Sequence, residues 1–296
     1  MRFALLCTFL AGVPVPDRGL TLTPLSGEVR VTAGVGIATV AVAAPSALSD
    51  RQIVSTGIAG TASIAGAGGW SATLGKNTMA AVRTLPEQDG ARLVFRRALE
   101  LVSGEVSWKA TSDSLLILPH ARIRAVAAQL RIFYFEGEIK VEAEDGQGLV
   151  ELLDTGTLVT LTGGQKIMVR FNPDTNTFQV DVVEDKGEPV ELLLGATTIE
   201  GTKGDSFLAR VDGNNLDVNV LKGVVDIKGP NGRSEEVGAG TLHLVPGGGV
   251  GAVQGVGDDA KKKKKKKKKL HEPERRLEPI RDILDKRTEI SPAGLK

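Results

Sequence analysis

The chain has 296 residues, of which 41% are hydrophobic and 25% charged, enough apolar material to bury one or two cores. One Cys excludes a disulfide framework and a multi-thiolate metal site, and three scattered His (His120, His243, His271) match no zinc spacing. The net charge of +1 conceals a segregation, because residues 1–260 hold 22 basic against 30 acidic side chains while nine lysines run together after them. An acidic body joined to a block of positive charge argues against a basic nucleic-acid domain.

Met1-Arg2 is followed by eleven mostly apolar residues, Phe3 to Val13, and then by Pro14-Val-Pro16. This is the outline of a secretory signal peptide, too short to span a bilayer, and residues 1–20 are assigned to it. The expected location is therefore exported, in the periplasm or cell envelope of a bacterium. Cys7 lies within the apolar stretch and lacks the small preceding residue of a lipidated Cys.

From Leu20 to Val245 short β-branched runs alternate with Gly, Asn-Gly or Asp-Gly turns, which predicts an all-β body. Glu28-Val-Arg-Val31, Gly156-Thr-Leu-Val-Thr-Leu161 and Leu216-Asp-Val-Asn-Val220 are examples. Asp212-Gly213 and Asn231-Gly232 predict tight turns, since both residue types tolerate positive φ. Ala121 to Leu130 could pass for a helix, but its β-branched neighbours favour strands. The expected fold is a twisted solenoid-like or sandwich-like β body, with a flexible Gly/Lys-rich tail and a short helix. Two β regions are expected, 21–125 and 126–245.

Leu25-Ser-Gly-Glu-Val-Arg-Val31, Val102-Ser-Gly-Glu-Val-Ser-Trp108, Phe135-Glu-Gly-Glu-Ile-Lys-Val141 and Leu221-Lys-Gly-Val-Val-Asp-Ile227 share one apolar-x-Gly-x-apolar-x-apolar pattern. Their glycines are spaced by 77, 33 and 86 residues, so no fixed-period solenoid is implied. Each Gly is expected to permit a bend or bulge, with a half-buried strand after it.

A further set of motifs runs Asp50-Arg-Gln-Ile-Val-Ser-Thr-Gly57, Ala59-Gly-Thr-Ala-Ser-Ile64 and Gly68-Gly-Trp-Ser-Ala-Thr-Leu-Gly-Lys-Asn-Thr78. These resemble the FecR-type domain, as does Leu101-Val-Ser-Gly-Glu-Val106. A partial second match takes in Ile199-Glu-Gly-Thr202, Phe207, Leu221-Lys-Gly-Val-Val225 and Val237-Gly-Ala-Gly240. The residues that carry the resemblance are Asp50, Thr56, Gly57, Leu74, Gly75, Asn77, Thr78, Gly104, Gly137, Gly201, Thr202 and Gly223. Gly68-Gly69 stands where the family usually has Asp-Gly, and Arg122-Ile-Arg-Ala-Val-Ala replaces an expected Gly-Thr. The resemblance implies a twisted β fold, an extracytoplasmic setting and no catalytic residues. It does not bring the sigma-regulating role with it.

No Gly-x-Ser-x-Gly occurs, and His120, placed after Pro119 in a turn, His243 on a strand and His271 in the tail read as structural. Glu136/Glu138 and Glu142/Glu144 alternate along a strand, each pair facing one way, and read as a solvated face. Asp212-Gly-Asn-Asn-Leu-Asp217 and Asn172-Pro-Asp-Thr-Asn176 read as plain turns, without the spacing of a calcium loop. Gly66-Ala-Gly-Gly69 has no phosphate-loop Lys and reads as a hairpin turn. Phe133 and Phe135 share one face with Tyr134 on the other, and core packing is expected for this aromatic spot, with an exposed edge for strand addition by a partner as the alternative. No metal and no cofactor is expected.

Residues 246–269 combine a Gly-rich linker with the lysines, and residues 270–296 form a tail. There Leu277, Ile280, Ile283 and Leu284 fall at the spacing of an amphipathic helix over 277–290. The lysines Lys261, Lys262, Lys263, Lys264, Lys265, Lys266, Lys267, Lys268 and Lys269 cannot fold on their own, because like charges repel. They form a polycation suited to anionic lipid, an anionic polymer or an envelope protein, with membrane-surface contact through the run and no specific nucleic acid. Self-contact with the acidic body and a run without a role are the alternatives. The expected function is a non-enzymatic, FecR-like binding or scaffold protein of the envelope. A signal-sensing component of a FecR-type system is the rival, and a polysaccharide-acting enzyme the weaker one.

Overall fold

In the computed structural model the described residues are 19–33, 38–66, 69–89, 92–172, 174–175, 177–212, 215–240 and 242–245. They are all β. Residues 1–18, the linker beyond 245, the nine lysines and the expected helix over 277–290 lie outside them. One compact unit holds the body up to Thr84 and from Arg97 onward. The segment Leu85–Arg96 belongs to a second unit, which takes in the end of strand β8 (Met79–Asp89) and the start of β9 (Arg92–Ala110).

The body is built from two ladders of strands. The first contains β4 (Ser46–Leu48), β1 (Leu20–Ser26), β6 (Thr61–Gly66) and β7 (Trp70–Leu74), joined in that order, and continues into the C-terminal part of β9. The second begins with β3 (Thr39–Ala41), β2 (Val29–Thr32), β5 (Ile53–Thr56) and β8. Leu99 and Glu100 of β9 pair in parallel with β10 (Ser114–Leu118), while Gly104–Ala110 pair antiparallel with β11 (Ala121–Phe135). Strands β11 and β12 (Glu138–Leu152) are long enough to serve both ladders. The N-terminal half of β12 pairs with β14 (Lys166–Asn172) and its C-terminal half with β13 (Thr157–Thr162).

Beyond this point hairpins are dealt alternately to the two ladders. β14 and β15 (Thr177–Glu184) extend the first, then β16 (Val190–Leu194) and β17 (Thr197–Gly201) the second. β18 (Ser206–Asp212) and β19 (Asn215–Lys222) return to the first, and β20 (Val224–Lys228) and β21 (Ser234–Gly238) to the second. β22 (Leu242–Val245) closes on β19. Alternating residues explain why these runs are strands, since each of β10, β16 and β17 buries every second side chain. Ala121–Leu130 lies within β11, as the β-branched neighbours predict.

The inward side chains of both ladders form one core. Its bulkiest members sit against small partners: Trp108 is opposite Ala72, and Trp70 opposite Ala110 and Gly66. A Cβ on Gly66 would lie 2.9 Å from the Trp70 ring, so the ring is seated where only Gly leaves room.

Positive backbone φ marks the places where the chain passes between ladders. The four glycines of the internal repeat, Gly27, Gly104, Gly137 and Gly223, all adopt it, at φ 56, 100, 81 and 80. Gly27 and Gly223 lie between ladders, at β1–β2 and β19–β20, and Gly104 bends β9 from one ladder to the other. Gly137 differs. With Glu136 at φ 47 it forms the two-residue loop between Phe135 and Glu138, where both central residues have the positive φ of a type I′ hairpin. Asp212 pairs with Asn215 while Gly213 of the expected Asp-Gly turn lies outside the described residues, and Gly232 at φ 75 lies in the turn between β20 and β21.

Candidate functional site

Sequence-marked residues converge at a column of turns. Thr56 ends β5 with its side chain buried, and its hydroxyl donates to Gly75 O at 2.6 Å while accepting the Thr78 amide at 2.9 Å. The Thr78 hydroxyl continues the chain, donating to Glu105 O at 3.1 Å and accepting Glu105 N at 3.0 Å. Gly57 N donates to Glu28 O and Gly75 N to Glu105 O, so the two glycines tie successive turns together. Leu74 is fully buried beside this column, and Asn77 occupies positive φ at its tip. Asp50 stands apart, in the turn before β5, 3.6 Å from Arg51. These residues build turns, and the hydroxyls are spent on backbone.

A second column serves the later motif residues. Asp205 is buried, and its carboxylate accepts Thr202 N at 2.6 Å, the Thr202 hydroxyl at 2.9 Å and Val224 N at 3.2 Å. Gly201 ends β17 beneath Thr202, and Gly223 sits so close that a Cβ there would fall 1.8 Å from Asp205 Oδ1. Asp205 was not singled out in the sequence. The Thr202-x-x-Asp205 spacing of a side-chain-capped turn was the available signal.

An outward-facing aromatic pair lies on the first ladder, in β11. Tyr134 enters the core at 8% exposure, whereas Phe133 and Phe135 point outward at 36% and 52%. The alternation holds, but core packing applies to Tyr134 alone. The reason is register: Tyr134 stands opposite buried Ile139, while Phe133 is opposite Lys140 and Glu105 and Phe135 opposite Glu138.

Two arginines frame the rings. Arg131 lies 3.2 Å from Glu144 and 3.6 Å from Glu105, and Arg170 lies 2.9 Å from Glu138 and 2.8 Å from Asp181. Lys166 pairs with Glu142 at 2.8 Å. That hydrogen bond, with the positive charges of Lys166, Arg131 and Lys140, holds the Glu142 carboxyl below its ordinary value against the upward push of burial. Lys140, directly across from Phe133, makes no ion pair among the described residues. The expected Glu142/Glu144 pair is thus engaged by cations, and Glu136 lies in the hairpin loop rather than sharing a strand face with Glu138. Glu138 and Phe135 are neighbours across the strands, an aromatic beside a carboxylate that sequence spacing alone did not place. Chemically this is a surface of apolar rings with oriented charges around it, suited to contact.

His120 is in the turn between β10 and β11, as expected. Its Nδ1 lies 3.0 Å from Asp154 Oδ2, its carbonyl accepts Leu153 N at 3.0 Å, and its ring rests on Phe171 with centroids 5.2 Å apart. This joins two turns. His243 lies in β22, with its side chain outside the description, and His271 and all nine lysines are beyond the described residues. Among the described residues no three His, Cys, Asp or Glu side chains converge as a metal site would require.

Fold and face together define an all-β protein with alternating hairpins and an outward aromatic pair. No family model and no curated protein matches the chain.

Proposed function

We propose that this chain is a non-enzymatic binding or scaffold protein of the bacterial envelope, FecR-like in its body, with Lys261–Lys269 holding it to an anionic surface or partner. The observation that carries the reading is the pair Phe133 and Phe135, turned outward in mid-sheet while Tyr134 between them is buried. A chain with only 4% aromatic residues that spends two of them on an open face is placing apolar area where a partner can use it. Support for the FecR-like body comes from the motif residues Thr56, Gly57, Gly75, Thr78 and Gly104, which gather in one column of turns.

The division of labour is physical. The rings and the fixed charges around them give selectivity, and the polycation gives retention of about 1 kcal/mol for each Lys near an anionic membrane. The test is co-sedimentation of the full chain with phosphatidylglycerol vesicles and with neutral phosphatidylcholine vesicles, at low and high salt. Binding to the anionic vesicles that disappears at high salt, and in a chain with Lys261–Lys269 changed to Gln, is the expected result. Salt-resistant binding that survives the Lys→Gln change would overturn the tether. A protein captured from envelope extract that is lost on Phe133→Ser with Phe135→Ser supports the face, whereas capture indifferent to both changes overturns it.

A further inference from the structure

Among the described residues the body ends at both extremes in strand edges that pair on one side only. At one end β4 borders β1 and β3 borders β2, and β1 and β2 are successive strands joined through Gly27. At the other end β22 borders β19 and β21 borders β20, again successive strands joined through Gly223. Both ladders therefore stop together at a head (β3, β4) and at a tail (β21, β22). Among the described residues no strand pairs with the outer side of any of the four.

The phase of the outward hydrogen-bonding groups follows from the register. Residues of an antiparallel ladder alternate between amides turned to the partner strand and amides turned away. Val42 N donates to Val29 O at 2.9 Å, so Val40, two residues earlier and opposite Val31, also faces β2, while the amides of Thr39 and Ala41 face out. On β21 the bond from Gly229 N to Arg233 O sets the same alternation and turns the amides of Ser234, Glu236 and Gly238 outward.

Open edges of soluble proteins are normally blunted by Lys, by Pro or by inward charges. Thr39-Val-Ala41, Ser46-Ala-Leu48 and Leu242-His-Leu-Val245 contain no Lys, Arg, Asp, Glu or Pro, whereas the fourth edge, Ser234-Glu-Glu-Val-Gly238, carries two acidic residues and no Lys or Pro. Val40 is 62% exposed on the edge itself.

We infer that the body associates head to tail with a second copy of this chain, the β21/β22 edges of one copy continuing the β3/β4 edges of the next. A second copy is the occupant because both ladders end together. A single peptide strand would complete one edge and leave the other unpaired, whereas a copy presents two edges, one from each ladder. The alternate dealing of hairpins then continues across the junction. Head and tail are different surfaces, so the contact is heterologous and its product is an open-ended chain of copies.

Sedimentation velocity of the full chain over a range of concentrations tests this. A growing series of oligomers that persists at high salt is expected. Ala41→Pro removes an outward amide and spares the β3–β2 bonds, and Glu236→Pro does the same at the tail. Each variant alone should lose self-association while keeping the wild-type thermal transition. Traces of Ala41→Pro added to wild type should shorten the oligomers, because its intact tail still occupies a head and its own head accepts nothing. Should Ala41→Pro not fold, Ala47→Lys blocks the adjacent head edge instead. A wild-type chain that stays monomeric at hundreds of micromolar overturns the inference. So does a closed dimer whose size neither edge variant changes.

Discussion

Gly104 and Thr78 approach so closely that a Cβ at position 104 would lie 2.5 Å from Thr78 Oγ1 and 2.6 Å from its Cα. The same glycine holds φ at +100°, a conformation that side chains rarely adopt. Here β9 leaves one ladder for the other, so turn geometry and packing both depend on the missing side chain.

Gly104→Ala should therefore destabilise the body by about 3 kcal/mol or more, from backbone strain together with displacement of Thr78. Gly204→Ala is the control. Its φ of +92° is similar, but nothing lies within 4 Å of its Cβ, so strain alone, about 1–2 kcal/mol, is expected. Urea unfolding of both variants measures the difference, and equal losses would contradict the packing argument.

Thr78→Val keeps the shape and removes the hydroxyl that bridges Thr78 to the Glu105 backbone. The Glu105 amide is left without its partner, which costs about 1–3 kcal/mol. Faster hydrogen exchange at Glu105 N, relative to amides elsewhere in β9, is the specific sign.

The aromatic spot predicts a contrast between neighbours. Phe133→Ser and Phe135→Ser should change stability by no more than about 0.5 kcal/mol, because both rings already face water. Trp108→Ala, in the core beneath, should cost about 3–5 kcal/mol. Thermal denaturation of the three variants decides it.

Acid should weaken the fold through carboxylates held below their ordinary values. Glu142 is lowered from 4.5 mainly by the Lys166 hydrogen bond. Asp185 is lowered from 3.8 by backbone hydrogen bonds from Gly187 and then Lys203. A depressed folded-state value means the unfolded chain takes up protons first. The contribution is thus present above 4.5 and 3.8 respectively and is lost as pH falls through the lower folded values. Urea midpoints measured from pH 6 to pH 2.5 should begin to fall near these ordinary values and go on falling below them. Lys166→Met should flatten the part due to Glu142.

Local pattern made the strands and several bends legible. Period-two alternation in Leu216-Asp-Val-Asn-Val220 needs no partner to be read, because it follows from the pleat itself. The repeat glycines were legible for the same reason, positive φ being a local property. Asn77 belonged to a quoted motif, but Ala127 and Lys186, which also hold positive φ, carried no signal, since only the surrounding ladders force them there. Asp205 escaped notice because its acceptors are filled partly by Val224, 19 residues away.

By itself, then, the amino-acid sequence determined an all-β chain, the positions of its bends and the separation of an acidic body from nine lysines. Only the tertiary structure decided that Tyr134 turns inward and Phe133 and Phe135 outward. Alternation states that neighbours oppose each other, but the side that becomes core depends on which strands pair across it. Pairing also decided that hairpins alternate between two ladders and that, among the described residues, both end in strands paired on one side only. Those facts reside in hydrogen bonds between residues far apart along the chain, which no local pattern encodes.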